Sequence, residues 1–166
     1  ALSAGIMSAG GTVLEAGIIP TPGVALLVRE MRAAGGAVIS ASHNPPEYNG
    51  IKFFDAQGFK LPDSVEDEIE AFMARGGAAA DELPNGDEVG VAVPVEDACE
   101  LYIQHAVQSV EKQGIDFKGL KVALDTGHGA SCMTSAEALR RLGADVCEVR
   151  QLKDMEGLEG IVIPRR

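Results

Sequence analysis

The chain has 166 residues, a net charge of −11, 46% hydrophobic residues, 4% aromatics and no Trp. That length suits one domain or one and a half, with a core drawn from Ala, Val, Ile and Leu. So acidic a chain repels nucleic acid and anionic membranes, which removes both from the expected partners, and no apolar run approaches a membrane span. Cys99, Cys132 and Cys147 form an odd set without CxxC spacing, which argues against a disulfide scaffold or a zinc site. Free thiols point to a reducing compartment, and the opening ALSAGIMSAG lacks the basic start and long apolar stretch of a signal peptide, so a cytoplasmic chain is expected.

Taken in chain order, residues 1–10 read as the tail of a helix that no N-cap precedes, stopped by Gly10-Gly11. Thr12 to Leu14 suits a short buried strand. Thr21-Pro22 opens a helix, with Thr21 as N-cap and Pro22 at the first position. Val24, Leu27, Val28 and Met31 carry that helix over 23–34, and Gly35-Gly36 is expected to end it. Ala37 to Ser40 reads as a buried strand, 41–49 as a polar loop turning at Asn44-Pro45-Pro46, and Ile51 to Phe54 as a second strand. Asp55 to Gly58 is a hairpin turn leading to Phe59-Lys60-Leu61. Pro62-Asp63 opens an acidic helix to about Ala74, with Val65, Ile69, Phe72 and Met73 on one face.

Residues 77–94 are rich in Gly, Ala and acids without periodicity and read as a linker. Beyond it a helix is expected over 95–113 with Ala98, Leu101, Tyr102, His105 and Val110 at helical spacing. A strand over 119–124, a loop at Asp125-Thr126-Gly127-His128-Gly129, a helix over 131–142 and a strand over 146–149 make a βαβ unit with a parallel sheet. The division is therefore 1–76, a linker at 77–94, and a partial second domain over 95–166, where the tail from Gln151 has no reading.

The stretch Ile39-Ser-Ala-Ser-His-Asn-Pro, running on to Asn49-Gly50-Ile51-Lys52-Phe53-Phe54, carries the most chemistry. A strand delivers Ser42 to the end of a sheet, where ligands sit in open α/β folds. His43 titrates near neutrality and Lys52 brings a positive charge on the next strand. Such a trio suits nucleophilic attack, proton transfer or phosphate binding. The same residues equally describe a Pro-ended turn in which Ser40, Ser42 and Asn44 satisfy backbone groups. His105 and His128 read as surface or core residues, Asp125 as a turn residue, and the three thiols as structural.

The string SASHNP followed by NGIKFF resembles the active-site serine loop of the α-D-phosphohexomutase superfamily. The IKFF ending and the following Gly58-Phe59-Lys60-Leu61-Pro62 look most like its phosphoglucosamine mutase branch, and PTPGVALLVRE resembles the family's Pro-Thr-Pro helix start. The resemblance covers residues 1–75 well and 120–130 more loosely. It implies a three-layer α/β/α first domain, here lacking its opening part, followed by part of a second similar domain. It implies that Ser42 carries a phosphoryl group, that His43 transfers a proton or touches phosphate, that Lys52 is a general acid/base or charge stabiliser, and that Asn44 holds the loop.

The implied reaction interconverts glucosamine 6-phosphate and glucosamine 1-phosphate through a phosphoserine and a bisphosphorylated sugar, with a glucosamine 1,6-bisphosphate-type activator. Mg²⁺ would sit against the Ser42 phosphate, offsetting charge. The family's DGDGDR-type metal loop, its Glu-x-Ser-Gly-His sugar loop and its Arg-x-Ser-Gly-Thr phosphate loop have no counterpart in this sequence. The chain thus reads as truncated at both ends and inactive alone, with a phosphomannomutase or phosphoglucomutase piece, or a non-catalytic module, as alternatives. An incomplete sheet exposes an edge, so pairing with a second copy, as a homodimer or by strand exchange, is expected. Size-exclusion chromatography with light scattering checks this, and a clean monomer rejects it.

Overall fold

The computed structural model describes residues 1–41, 44, 45, 47–79 and 83–149. Helices α1 (Leu2–Ser8), α2 (Thr21–Glu30), α3 (Asp63–Ala74), α4 (Ala98–Glu111) and α5 (Ser135–Arg141) alternate with strands β1 (Val13–Glu15), β2 (Gly35–Ile39), β3 (Ile51–Asp55), β4 (Ala92–Pro94), β5 (Lys121–Leu124) and β6 (Asp145–Glu148). The fold is α/β. The chain divides into two compact units, Ala1–Gly17 with Val24–Glu96, and Ile18–Gly23 with the chain from Asp97 onward.

In the first unit, β1 and β4 run parallel, pairing Val13 with Ala92 and Glu15 with Pro94. The stretch expected as a linker thus contributes a strand. Its approach to β1 depends on a bare Cα, because a Cβ at Gly90 would run into the Gly11 carbonyl. Strands β2 and β3 pair antiparallel, from Gly35 opposite Asp55 to Ile39 opposite Ile51.

Helix α2 does not last to Gly35-Gly36. It closes earlier, where Arg32 takes a left-handed φ of 52°. The Arg32 N–H donates to Arg29 O at 3.1 Å and the Ala33 N–H to Val28 O at 2.9 Å, the paired bonds of a Schellman cap. The two glycines belong instead to β2. A Cβ at Gly36 would stand 2.5 Å from Val28 Cγ2, so the bare Cα of Gly36 lets α2 lie close on the strand. Ile39 is 61% exposed, so β2 is a half-covered hairpin strand rather than the buried one expected.

The hairpin turn at Asp55–Gly58 forms as read. The Gly58 N–H donates to Asp55 O at 2.9 Å, the Asp55 N–H to Phe59 O at 2.8 Å, and Gly58 sits at φ 81°. The Asp55 carboxylate accepts from the Gln57 and Phe59 N–H groups, each at 2.9 Å, which fixes the bulged return. Helix α3 follows over the range expected, with Asp63 and Glu66 in its first turn.

The second unit holds the βαβ motif. Strands β5 and β6 run parallel, from Lys121 beside Asp145 to Leu124 beside Glu148, with α5 between them. Its core joins Ile103, Val107 and Leu142, with Val110, Phe117 and Ala138 packed against it. The buried face of α4 is Ala98, Ile103 and Val107, and His105 is exposed. The helix expected over 131–142 is split into a 3₁₀ turn at Ala130–Met133 and α5, with Thr134 between them only 2% exposed.

A charged clamp ties α4 to α5. Arg141 donates to both Glu100 carboxylate oxygens, at 2.7 and 2.9 Å, and to Glu137 at 2.8 Å. Gln104 donates to Glu100 at 2.7 Å. The bidentate guanidinium, with Gln104, pulls the Glu100 carboxyl down from its ordinary 4.5 to about 2. A depressed carboxyl stabilises the fold above the unfolded value and loses that contribution as pH falls through the folded one. Between pH 4.5 and about 2, Glu100→Gln should therefore flatten the fall of the second unit's melting temperature with acid. Melting curves across that range that run parallel to the wild type would reject the clamp.

Candidate functional site

The loop read as carrying chemistry joins the end of β2 to the start of β3. It therefore leaves and rejoins neighbouring antiparallel strands, and it does not stand at the edge of a parallel sheet. Its root is closed by the Ser40 N–H donating to Gly50 O at 2.9 Å, one step beyond the Ile39–Ile51 pair. A Cβ at Gly50 would lie 2.8 Å from Ser40 O, so glycine is what allows this approach. Within the loop, the Asn44 N–H donates to Ala41 O and the Tyr48 N–H to Pro45 O, each at 3.0 Å.

Ser42 and His43 lie outside the described residues, as does the tail over 151–166. Asn44 is exposed, and its backbone N–H is the donor to Ala41 O. Lys52 is exposed on β3 opposite Val38, two residues past the root of the loop. Tyr48, which sequence reasoning did not single out, is 58% exposed in the same loop. An aromatic among the polar loop residues was the available signal. The arrangement offers an accessible ammonium and a loop braced by backbone bonds, fitting an anionic ligand.

The other features singled out in the sequence fall elsewhere. The Asp125 carboxylate accepts the Gly127 N–H at 2.8 Å, the turn role read for it. His128 is exposed with a left-handed φ of 54°. Lys60 lies 3.1 Å from Glu66 and 3.3 Å from Asp63, and hydrogen bonds to these carboxylates, Glu66 first, raise its pKa. Among the described residues no group of three or more His, Cys, Asp or Glu is arranged to hold a metal, and no helix is long and apolar enough to cross a membrane.

Residues 1–80 match the family of phosphoglucomutase/phosphomannomutase, alpha/beta/alpha domain I. Over nearly its whole length it is similar to phosphoglucosamine mutases. It is 47% identical to that of Symbiobacterium thermophilum over 156 residues, covering 93% of this chain and 33% of the relative. It is 47% identical over 154 residues to that of Clostridium acetobutylicum, covering 93% of this chain and 34% of that protein. To that of Bifidobacterium animalis subsp. lactis it is 48% identical over 157 residues, with coverages of 93% and 34%. A crystal structure of a protein assigned as a phosphomannomutase, from Thermus thermophilus, superposes with a TM-score of 0.63 at 28% identity, covering 86% of this chain and 32% of that one. The chain spans about a third of the length of the curated relatives it matches.

Exposed Lys52 contributes little packing, so Lys52→Ala should change unfolding free energy by no more than ~0.5 kcal/mol. Urea titration measures it, and a loss well beyond that would make Lys52 a structural residue.

Proposed function

We propose that this chain carries the phosphoserine loop of a phosphoglucosamine mutase, interconverting glucosamine 6-phosphate and glucosamine 1-phosphate. The observation that supports this most is identity of 43–48% to phosphoglucosamine mutases over most of the chain. The 28% identity to a protein assigned as a phosphomannomutase favours the amino-sugar reaction over the hexose ones. Domain boundaries at 1–76 and 95–166 belong to the same proposal, and so does a cytoplasmic setting.

Ser42 is the phosphate carrier. A sugar hydroxyl attacks the phosphorus of phospho-Ser42, its proton passes to a neighbouring base, and the P–Oγ bond breaks to leave the serine oxygen, which takes up a proton. The bisphosphorylated sugar reorients, Ser42 Oγ gives up its proton to the base and attacks the other phosphorus, and that sugar O–P bond breaks with the sugar oxygen taking up a proton, restoring the phosphoserine and releasing the isomer. His43 and Lys52 are the groups proposed to move protons and to neutralise phosphate charge, and Asn44 braces the loop. Phosphoserine carries close to two negative charges, so a nearby ammonium lowers the cost of bringing a second phosphate to it. Mg²⁺, with a 1,6-bisphosphate activator, is proposed for the longer assembly and would supply Lewis-acid charge neutralisation. The described residues do not form a site for the ion by themselves.

Intact mass and peptide mapping over Ala33–Lys52 test the assignment. After incubation with a hexose 1,6-bisphosphate, one phosphoryl group is expected on Ser42 and none in Ser42→Ala. Phosphate retained in the variant, or mapped to another residue, would overturn it.

A further inference from the structure

The root of the loop is narrower than any side chain at Gly50 permits. The Ser40 N–H reaches Gly50 O at 2.9 Å, while a Cβ on Gly50 would come within 2.8 Å of Ser40 O. Backbone carbonyls do not yield to such a contact as the tip of a long side chain does, so the two segments must part if the glycine is replaced. The requirement is one of space rather than of backbone conformation, because Gly50 is not among the glycines with positive φ. On either side of this junction, the chain runs in two directions with different contents. Beyond it lie residues 41–49, with Ser42 two residues from Ser40. Behind it lies the β2–β3 ladder, with Lys52 two residues from Gly50 and opposite Val38.

We propose that Gly50 is a positioning residue for phosphoryl transfer: its bare Cα closes the Ser40–Gly50 neck, and the neck fixes where the Ser42 loop starts relative to Lys52. This rests on the reading of Ser42 as the phosphate carrier. A neck parted by even a fraction of an ångström moves the start of the loop while Lys52 stays registered opposite Val38, and in-line transfer tolerates such misplacement poorly.

The test compares the full chain with Gly50→Ala and with Ser40→Pro, which removes the donor and keeps the glycine. Gly5→Ala serves as a control, because a Cβ there meets nothing within 4 Å. Amide exchange is read at Ser40 and at the facing ladder residues Val38 and Lys52, together with Ser42 phosphorylation from a hexose 1,6-bisphosphate. In Gly50→Ala, the Ser40 amide should exchange up to about tenfold faster, the yield of losing one hydrogen bond, while Val38 and Lys52 stay protected. Phosphorylation should fall at least as far in both variants and hold in Gly5→Ala. Unchanged Ser40 protection in Gly50→Ala, or full phosphorylation of that variant beside a phosphorylated wild type, overturns the proposal. A wild type phosphorylated at another residue defeats the reading of Ser42 instead, and the exchange data alone then decide the neck, as they do for a wild type that takes no phosphate. Loss of protection throughout the ladder in Gly50→Ala would move the decision to Ser40→Pro.

Discussion

Helix α2 meets the β2–β3 hairpin at two points where the hairpin has no side chain to put in the way. At Gly36 a Cβ would stand 2.5 Å from Val28 Cγ2, and at Gly58 it would stand 2.5 Å from Ala25 O. One point lies on the strand and the other in the turn that follows the second strand, so helix and hairpin are held at both places. Glycine in a strand costs backbone entropy, roughly 0.5–1 kcal/mol relative to alanine. Burial of Leu26, Leu27 and Val28 on the helix offsets it, since each such side chain contributes about 1.5–3 kcal/mol. The hairpin's register, and with it the root of the Ser42 loop, depends on this approach.

The second unit is assembled on another plan. Its hydrophobic cluster is small, and α4 and α5 are joined across their exposed side by the Arg141 fork on Glu100 rather than by more apolar area. Bidentate geometry and the two supporting carboxylate contacts make this pair more than an isolated surface bridge. Parallel strands β5 and β6 follow from the intervening α5, whose length suits a crossover back to the neighbouring position.

The sequence was most legible where punctuation is local. Asp55 and Gly58 announced a turn because a short carboxylate and a residue free to take positive φ are what that turn consumes. Pro62-Asp63 announced α3 for a similar reason. Gly35-Gly36 misled, because glycine stops helices but also permits close packing, and only the position of Val28 distinguishes the two uses. The pairing of β2 with β3 was hidden for a related reason. A short apolar run reads as a strand without saying which neighbour it takes, and the intervening loop is long for a hairpin. On α4, His105 and Tyr102 share the helical spacing of a buried face, yet packing turned Ile103 and Val107 inward. At the candidate site, the residue types were legible but the neck was not, because no pattern of residue types reports the clearance between Ser40 and Gly50.

Because the loop is rooted in a hairpin, strands β2 and β3 and the turn to Leu61 lie close together along the chain as well as in space. Its contacts need only short-range loop closure, which is entropically cheaper than joining distant strands. Hairpins of this kind form in roughly 1–10 μs. The scaffold around Ser42 and Lys52 is therefore assembled by local search as soon as this segment is free of the ribosome. The parallel β1–β4 pair, whose partners lie far apart in sequence, must wait until the chain has been made through Pro94.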